Sequence, residues 1–258
     1  SRSQAGVKTR AKFLFETLLL HRVRSSRIIP QREARQMGEM IKLTAADGHE
    51  FDAYKATPAG TPKGGICVIQ EIFGANAHIK EVADGYAADG YLAIAPALYD
   101  RAESGVELGY TAEDMQAGRD FRAKVGDDGP VADIAAVVKE LQSTGKVGTV
   151  GYCWGGTLSY LAATRVDGVA GSVVYYGGQI IPYKDETANA PLQMHFGEMD
   201  AGIPMDDVDA IKAAHPQADV HVYDADHGFN CDHRGQYDEA SCKLARERSL
   251  AFFGQNVG

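Results

Sequence analysis

The chain has 258 residues, 45% of them hydrophobic and 24% charged, with a formal net charge of −9. That is enough chain for one large α/β domain, and the acidity argues against a nucleic-acid binder. No apolar run approaches the roughly 18 residues that a membrane span needs, and Cys67, Cys153, Cys231 and Cys242 have neither metal or redox spacing nor the density of a disulfide scaffold.

The charge is unevenly spread. Residues 1–36 hold nine Lys/Arg against two Glu, and the remainder holds 17 against 33 Asp/Glu. Within the first part, "KFLFETLLLHRVR" is apolar and basic, but Glu16 interrupts it and no small-residue cleavage site follows. Residues 1–36 are therefore expected to be an expression leader or upstream translated sequence, or an additional N-terminal segment, with a transit-type peptide as the lesser alternative, rather than a secretory signal. A single domain is expected over residues 37–258, in a reducing, cytoplasmic setting.

Two strands with alternating polarity open this domain, joined by an Asp47-Gly48 turn. The continuous apolar run Ile66 to Ile69 predicts a strand buried on both faces. A helix is expected over 77–90, stopped by Gly90, and "YLAIAP" predicts a second buried strand ending at Pro96. Residues 97–127 form a longer polar excursion with two helical pieces. A helix over 130–145, a strand over 146–152 and an amphipathic helix over 155–165 come next. Strands follow at 168–177 and 191–200, then a helix at 205–215, a strand at 218–224 and a closing helix over 238–255. Strands alternating with helices predict an open, mostly parallel sheet covered on both faces, and 29 glycines suit its many turns.

The chemistry concentrates at Gly151-Tyr152-Cys153-Trp154-Gly155. This is G-x-C-x-G, the thiol form of the strand-to-helix corner G-x-S-x-G that exposes a nucleophile. Glycines are needed where strand and helix cross, and the helix N-terminus beside the sulfur favours negative charge there. Such a nucleophile takes an acid and then a histidine downstream. Asp200 closes the strand "LQMHFGEMD", and His227 follows the next strand in "ADHGFN". The order Cys153, Asp200, His227 assigns attack on a carbonyl to the thiolate, proton relay to the imidazole, and orientation to the carboxylate. An oxyanion needs two donors: the N–H of Trp154, the residue after the nucleophile, and one from the loop after "CVIQ", expected at Ile72.

These segments, with "QEIFGANAHIKEVADGYAADGY", "APALYDR", "HFGEMD" and "HGFNCDHR…LARERSLAFF", resemble the dienelactone hydrolase family (carboxymethylenebutenolidases) of the α/β-hydrolase fold, over about residues 38–255. The resemblance implies the Cys153–Asp200–His227 triad with no metal or organic cofactor. It implies that Glu71, in "QEIFG", pairs with the resting thiol and takes up its proton. It also implies that Arg101, in "LYDR", helps hold a substrate carboxylate. A second such arginine is expected four residues after the histidine, but that position is Cys231, with Arg234 nearby at a different spacing. One arm of the anion clamp is therefore absent or moved, and a less charged substrate than dienelactone becomes plausible.

The expectation is a cysteine hydrolase of small esters or lactones working through a thioacyl-enzyme, a monomer or small homo-oligomer with neither nucleic acid nor membrane as partner. The alternatives are promiscuous arylester and phosphotriester hydrolysis by the same thiolate, and a non-catalytic small-molecule binder on the same fold. A thiol redox enzyme lacks a resolving cysteine. Asp232, His233 and His227 lie close in sequence without recognisable metal spacing, and Cys67 and Cys242 read as packing.

Overall fold

Alternation in the first two segments yields β1 (Gly38–Thr44) and β2 (Glu50–Ala56), an antiparallel pair with Ile41 opposite Ala53. The turn between them uses Gly48 at φ 86°, a conformation open to glycine. The computed structural model describes residues 38–258. The expected leader at residues 1–36 falls outside the described residues.

β3 (Gly65–Ile69), β4 (Leu92–Pro96) and β5 (Val147–Tyr152) are buried along their whole length, as their unbroken apolar character demands. β6 (Val169–Tyr175), β7 (Leu192–Gly197) and β8 (Asp219–Tyr223) complete one eight-stranded sheet in the order β1-β2-β4-β3-β5-β6-β7-β8. The pairs β1–β2 and β2–β4 are antiparallel and all others parallel. The fold is thus the mostly parallel α/β sheet expected from the sequence.

Among the described residues six helices cover it: α1 (Ala77–Ala88), α2 (Ala112–Val125), α3 (Asp128–Leu141), α4 (Trp154–Arg165), α5 (Met205–Ala214) and α6 (Glu239–Asn256). Local chemistry sets several of their ends. The Asn76 side chain caps α1 by accepting from Ile79 N–H, and Thr111 and Asp114 form a reciprocal capping box on α2. The polar excursion resolves into a single 3₁₀ turn at Leu98–Arg101 followed by α2. α3 begins two residues before the expected start, because Pro130 sits in its first turn, where a missing N–H costs nothing. α1 and α6 meet through the Tyr86 and Phe253 rings, 5.8 Å apart, while α3 touches α4.

One expectation is corrected. α4 is not amphipathic: every residue from Trp154 to Thr164 is buried, because the helix is enclosed by the sheet and α3. Among the described residues no helix is long and apolar enough to cross a membrane.

Chain order reverses between β3 and β5, which are neighbours although β4 intervenes in sequence. The crevice beyond the carboxyl ends of the strands at such a reversal is where open α/β sheets bind ligands. Glu71 and Ile72 leave β3 there and Cys153 leaves β5, while Asp200 follows β7 and His227 follows β8.

Candidate active site

Cys153 sits between β5 and α4 at φ 56° and ψ −119°, one of two non-glycine residues with positive φ among the described residues. Such a backbone costs about 1–3 kcal/mol and persists only where its surroundings impose it. Here Cys153 N–H donates to Tyr175 O at 3.0 Å, and its carbonyl accepts from Gly156 N–H at 2.9 Å. The flanking glycines are steric necessities. A Cβ on Gly151 would collide with the Gly155 carbonyl, and one on Gly155 with the carbonyls of Gln70 and Ile69. The result is a partly exposed sulfur at the head of a helix.

Asp200 is nearly fully buried. Its Oδ1 accepts from Gly202 N–H at 2.8 Å, which leaves Oδ2 to pair with His227 Nδ1 at 2.6 Å. The Cys153 sulfur lies near enough to act on the same imidazole electrostatically. Burial works against the imidazolium, but Cys153 and Asp200 together outweigh it and raise the His227 pKa to about 10. The ring is steadied from behind by Tyr176, 5.0 Å away centroid to centroid. Tyr176 is the other residue with positive φ, at 37°, and its buried hydroxyl has no partner. Only the doubled tyrosine of "VVYYG" hinted at it in the sequence.

These groups open into a cavity of about 760 Å³, lined among others by Ile72, Cys153, Trp154, Asp200 and His227. Trp154 is the first residue of α4, so its N–H has no carbonyl one turn back within the helix. Ile72, in the turn after β3, lines the same cavity. Gln70 fixes the peptide that carries the Ile72 N–H: its Nε2 donates to Glu71 O at 3.4 Å and its Oε1 accepts from Leu98 N–H at 3.0 Å. Tyr99 Oη lies 2.8 Å from Ile72 O. The Trp154 indole is clamped by Asp127 Oδ1 at 2.8 Å and stacks on Tyr99, so it forms part of the wall. Tyr152 is wholly buried and only packs. Cys67 is buried in β3, and Cys242 lies half-buried on α6.

Two expectations about charge are overturned. Arg101 does not line the cavity. Its Nε and Nη2 bind Asp133 of α3 at 2.8 and 2.7 Å, and its Nη1 reaches Asp47 at 2.8 Å. A buried carboxylate demands a fork-shaped cation, and Asp133, wholly buried, claims this one. Glu71 does not pair with the resting thiol either. Its Oε1 accepts from Arg234 Nη1 at 3.0 Å, and its Oε2 is buried without a partner. A guanidinium is a far stronger partner for a buried carboxylate than a thiol is. Burial nevertheless pushes the Glu71 carboxyl above the ordinary range, against the pull of Arg234 and His227.

The cations that do reach the cavity are Arg234, three residues beyond Cys231, and Arg119 and Arg122 of α2. Among the described residues neither α2 arginine has a carboxylate partner. Cys231 is buried with its sulfur 3.4 Å from Tyr110 Oη.

The dienelactone hydrolase family model matches residues 51–257. A carboxymethylenebutenolidase of Pseudomonas putida is 34% identical over 228 residues, covering 83% of this chain and 95% of that protein. The crystal structure of a "putative dienelactone hydrolase" from Klebsiella pneumoniae subsp. pneumoniae superposes with a TM-score of 0.74 at 31% identity, covering 84% of this chain and 99% of that one. At the level of fold alone, a dienelactone hydrolase-like promiscuous phosphotriesterase from metagenomic libraries superposes with a TM-score of 0.70 at 18% identity, covering 86% of this chain and all of that one. The family match covers β2 through α6 and takes in every group of the cavity described above: the chain belongs to the dienelactone hydrolase family of hydrolases.

Proposed function

We propose that the domain over residues 37–258 hydrolyses small esters or lactones with Cys153 as nucleophile, His227 as proton carrier and Asp200 as its orienting acid. The observation that carries this reading is the strained Cys153 facing an imidazole whose far nitrogen lies 2.6 Å from a buried carboxylate. An imidazole that keeps its proton up to about pH 10 beside a sulfur is suited to an imidazolium–thiolate pair.

The sulfur electron pair forms the C–S bond as the carbonyl π pair moves to oxygen, where the N–H groups of Ile72 and Trp154 receive it. When that pair returns, the C–O bond to the leaving alkoxide breaks and His227 gives it the proton. In a lactone the new hydroxyl stays tethered to the acyl group. Water then attacks the thioacyl carbon while His227 takes its proton, the C–S bond breaks, and acid and thiolate–imidazolium are restored.

The acyl group most favoured is one that bears a carboxylate. Arg119 and Arg122 offer unpaired positive charge at the cavity wall, and the Glu71 contact holds Arg234 there as well. Glu71 is thus assigned to placing Arg234 rather than to storing the thiol proton.

Cys153→Ala tests the reading. Turnover of a p-nitrophenyl ester should fall by about 10³-fold or more, and intact mass of the wild-type enzyme quenched during turnover should show an acyl adduct on Cys153. Retained hydrolysis in the alanine variant would remove the thiol from the mechanism. A neutral phosphotriester assayed alongside a carboxylate-bearing lactone ranks the phosphotriesterase reading against the lactonase one. Ligand binding without turnover of any of the three would favour a non-catalytic binder.

A further inference from the structure

Outside the cavity, α1 and the segment after His227 bring two imidazoles and two carboxylates together. His78 and Glu81, one turn apart on α1, face Asp232 and His233, and one ligand atom from each lies within 4.8 Å of all the others. His233 Nε2 lies 2.8 Å from Glu81 Oε2 and 3.9 Å from Asp232 Oδ1, and His78 Nδ1 lies 3.5 Å from Asp232 Oδ1. Four donors about 2.0–2.1 Å from a tetrahedral centre lie about 3.4 Å from one another. The observed separations bracket that value.

His78 is the telling member. It is only 4% exposed, its Nε2 is buried with no partner, and its Nδ1 has only the distant Asp232. Buried polar atoms are nearly always hydrogen-bonded, so an imidazole left so poorly bonded calls for an explanation. Its Nδ1 is the nitrogen that faces Asp232, so that nitrogen is the one placed to bind a metal together with the other three residues.

We propose that His78, Glu81, Asp232 and His233 form a zinc site that clamps α1 to the segment carrying Cys231 and Arg234. Two nitrogens with two carboxylate oxygens and no thiolate suit zinc, whereas magnesium and calcium take oxygen donors. Metal binding needs the His233 Nε2 lone pair, so a proton held between Nε2 and Glu81 is released to water as the N–metal bond forms. The site lies outside the cavity lined by Cys153 and His227, so its role is to brace the fold. Its partners are 152 residues apart in the chain, which is why no spacing in the sequence reveals it.

The test is zinc titration of the full-length, thiol-reduced protein by calorimetry, alongside its Co²⁺ absorption spectrum. Glu81→Gln and His233→Asn change side chains at the surface, and circular dichroism verifies that both variants fold. The expected result is one equivalent bound, tetrahedral Co²⁺ bands without a thiolate charge-transfer band, a zinc-dependent rise in Tm, and affinity reduced about 100-fold or more in each variant. A thiolate band would place the metal on a cysteine and overturn the proposal. Unchanged affinity in both variants, or no binding to the wild type at high micromolar zinc, would do the same.

Discussion

Arg101→Met separates a structural arginine from a substrate-binding one. The substitution keeps an unbranched, mostly apolar side chain and removes the guanidinium. Asp133 then loses both short bonds, at 2.8 and 2.7 Å, while remaining wholly buried. Removing one partner of a buried pair costs about 3–5 kcal/mol, because the remaining charge is left uncompensated. The Asp47 arm adds little, since that carboxylate stands in solvent and is screened. For a domain of this size each kcal/mol lowers Tm by about 2–4 °C, so the expected fall is about 6–20 °C. Burial already raises the Asp133 pKa even with Arg101 present. A group raised in this way is most compatible with the fold at low pH, so the variant's deficit should shrink as pH falls toward the unfolded carboxylate value and grow above it. Replacing both partners, Arg101→Met with Asp133→Leu, should recover most of the loss. The assays are calorimetric unfolding and, well below Tm, kcat/KM on a carboxylate-bearing ester, which should stay within about 2-fold of wild type because Arg101 is remote from the cavity. A 10-fold rise in KM for that ester with Tm unchanged would refute this account and restore Arg101 as a substrate clamp.

The remaining expectations concern the cavity. Arg122→Gln should raise KM about 10-fold for a carboxylate-bearing ester and leave a neutral ester untouched, and equal effects on both would deny α2 a role in charge recognition. Gly118→Ala should cut kcat about 10- to 100-fold, since the new Cβ would collide with Ile72 O and displace the turn by roughly 1 Å; steady-state kinetics on the folded variant checks it, and Gly85→Ala, whose Cβ meets no atom closer than 3.6 Å, is the matched control. The pH dependence follows from His227. In the proposed mechanism its raised pKa keeps the leaving-group acid protonated, so kcat/KM should hold until about pH 10 and fall above it. The stability contributed by that proton is complete below the ordinary imidazole value of 6.5 and is lost between there and about 10. Asp200→Asn removes one of the groups that raise the pKa, so the alkaline limb should move to lower pH while kcat drops about 10²–10⁴-fold; an unmoved limb would mean that another group sets it.

How far the sequence could be read follows from what each residue depends on. The elbow is legible because its cause is local: Gly151 and Gly155 must lack a Cβ where strand and helix cross, so a bracketed cysteine announces its own geometry. The strands were legible for the same reason, since β3 and β5 are apolar on both faces wherever they are placed. Charges are different, because a long polar side chain joins whichever buried partner lies nearest in space. Arg101 and Asp133 are 32 residues apart and Glu71 and Arg234 are 163 apart, so nothing along the chain indicates that these carboxylates take those cations. The unpaired arginines of α2 were hidden inside a polar excursion that differs little from any solvated helix, until its packing beneath Ile72 turns one face toward the thiol. Motifs set by steric necessity therefore carry the proposed nucleophile, while the proposed substrate preference rests on which arginines remain unpaired after folding. That makes the anionic-ester comparison with Arg122→Gln the sharper test of specificity, and the Cys153 adduct the sharper test of chemistry.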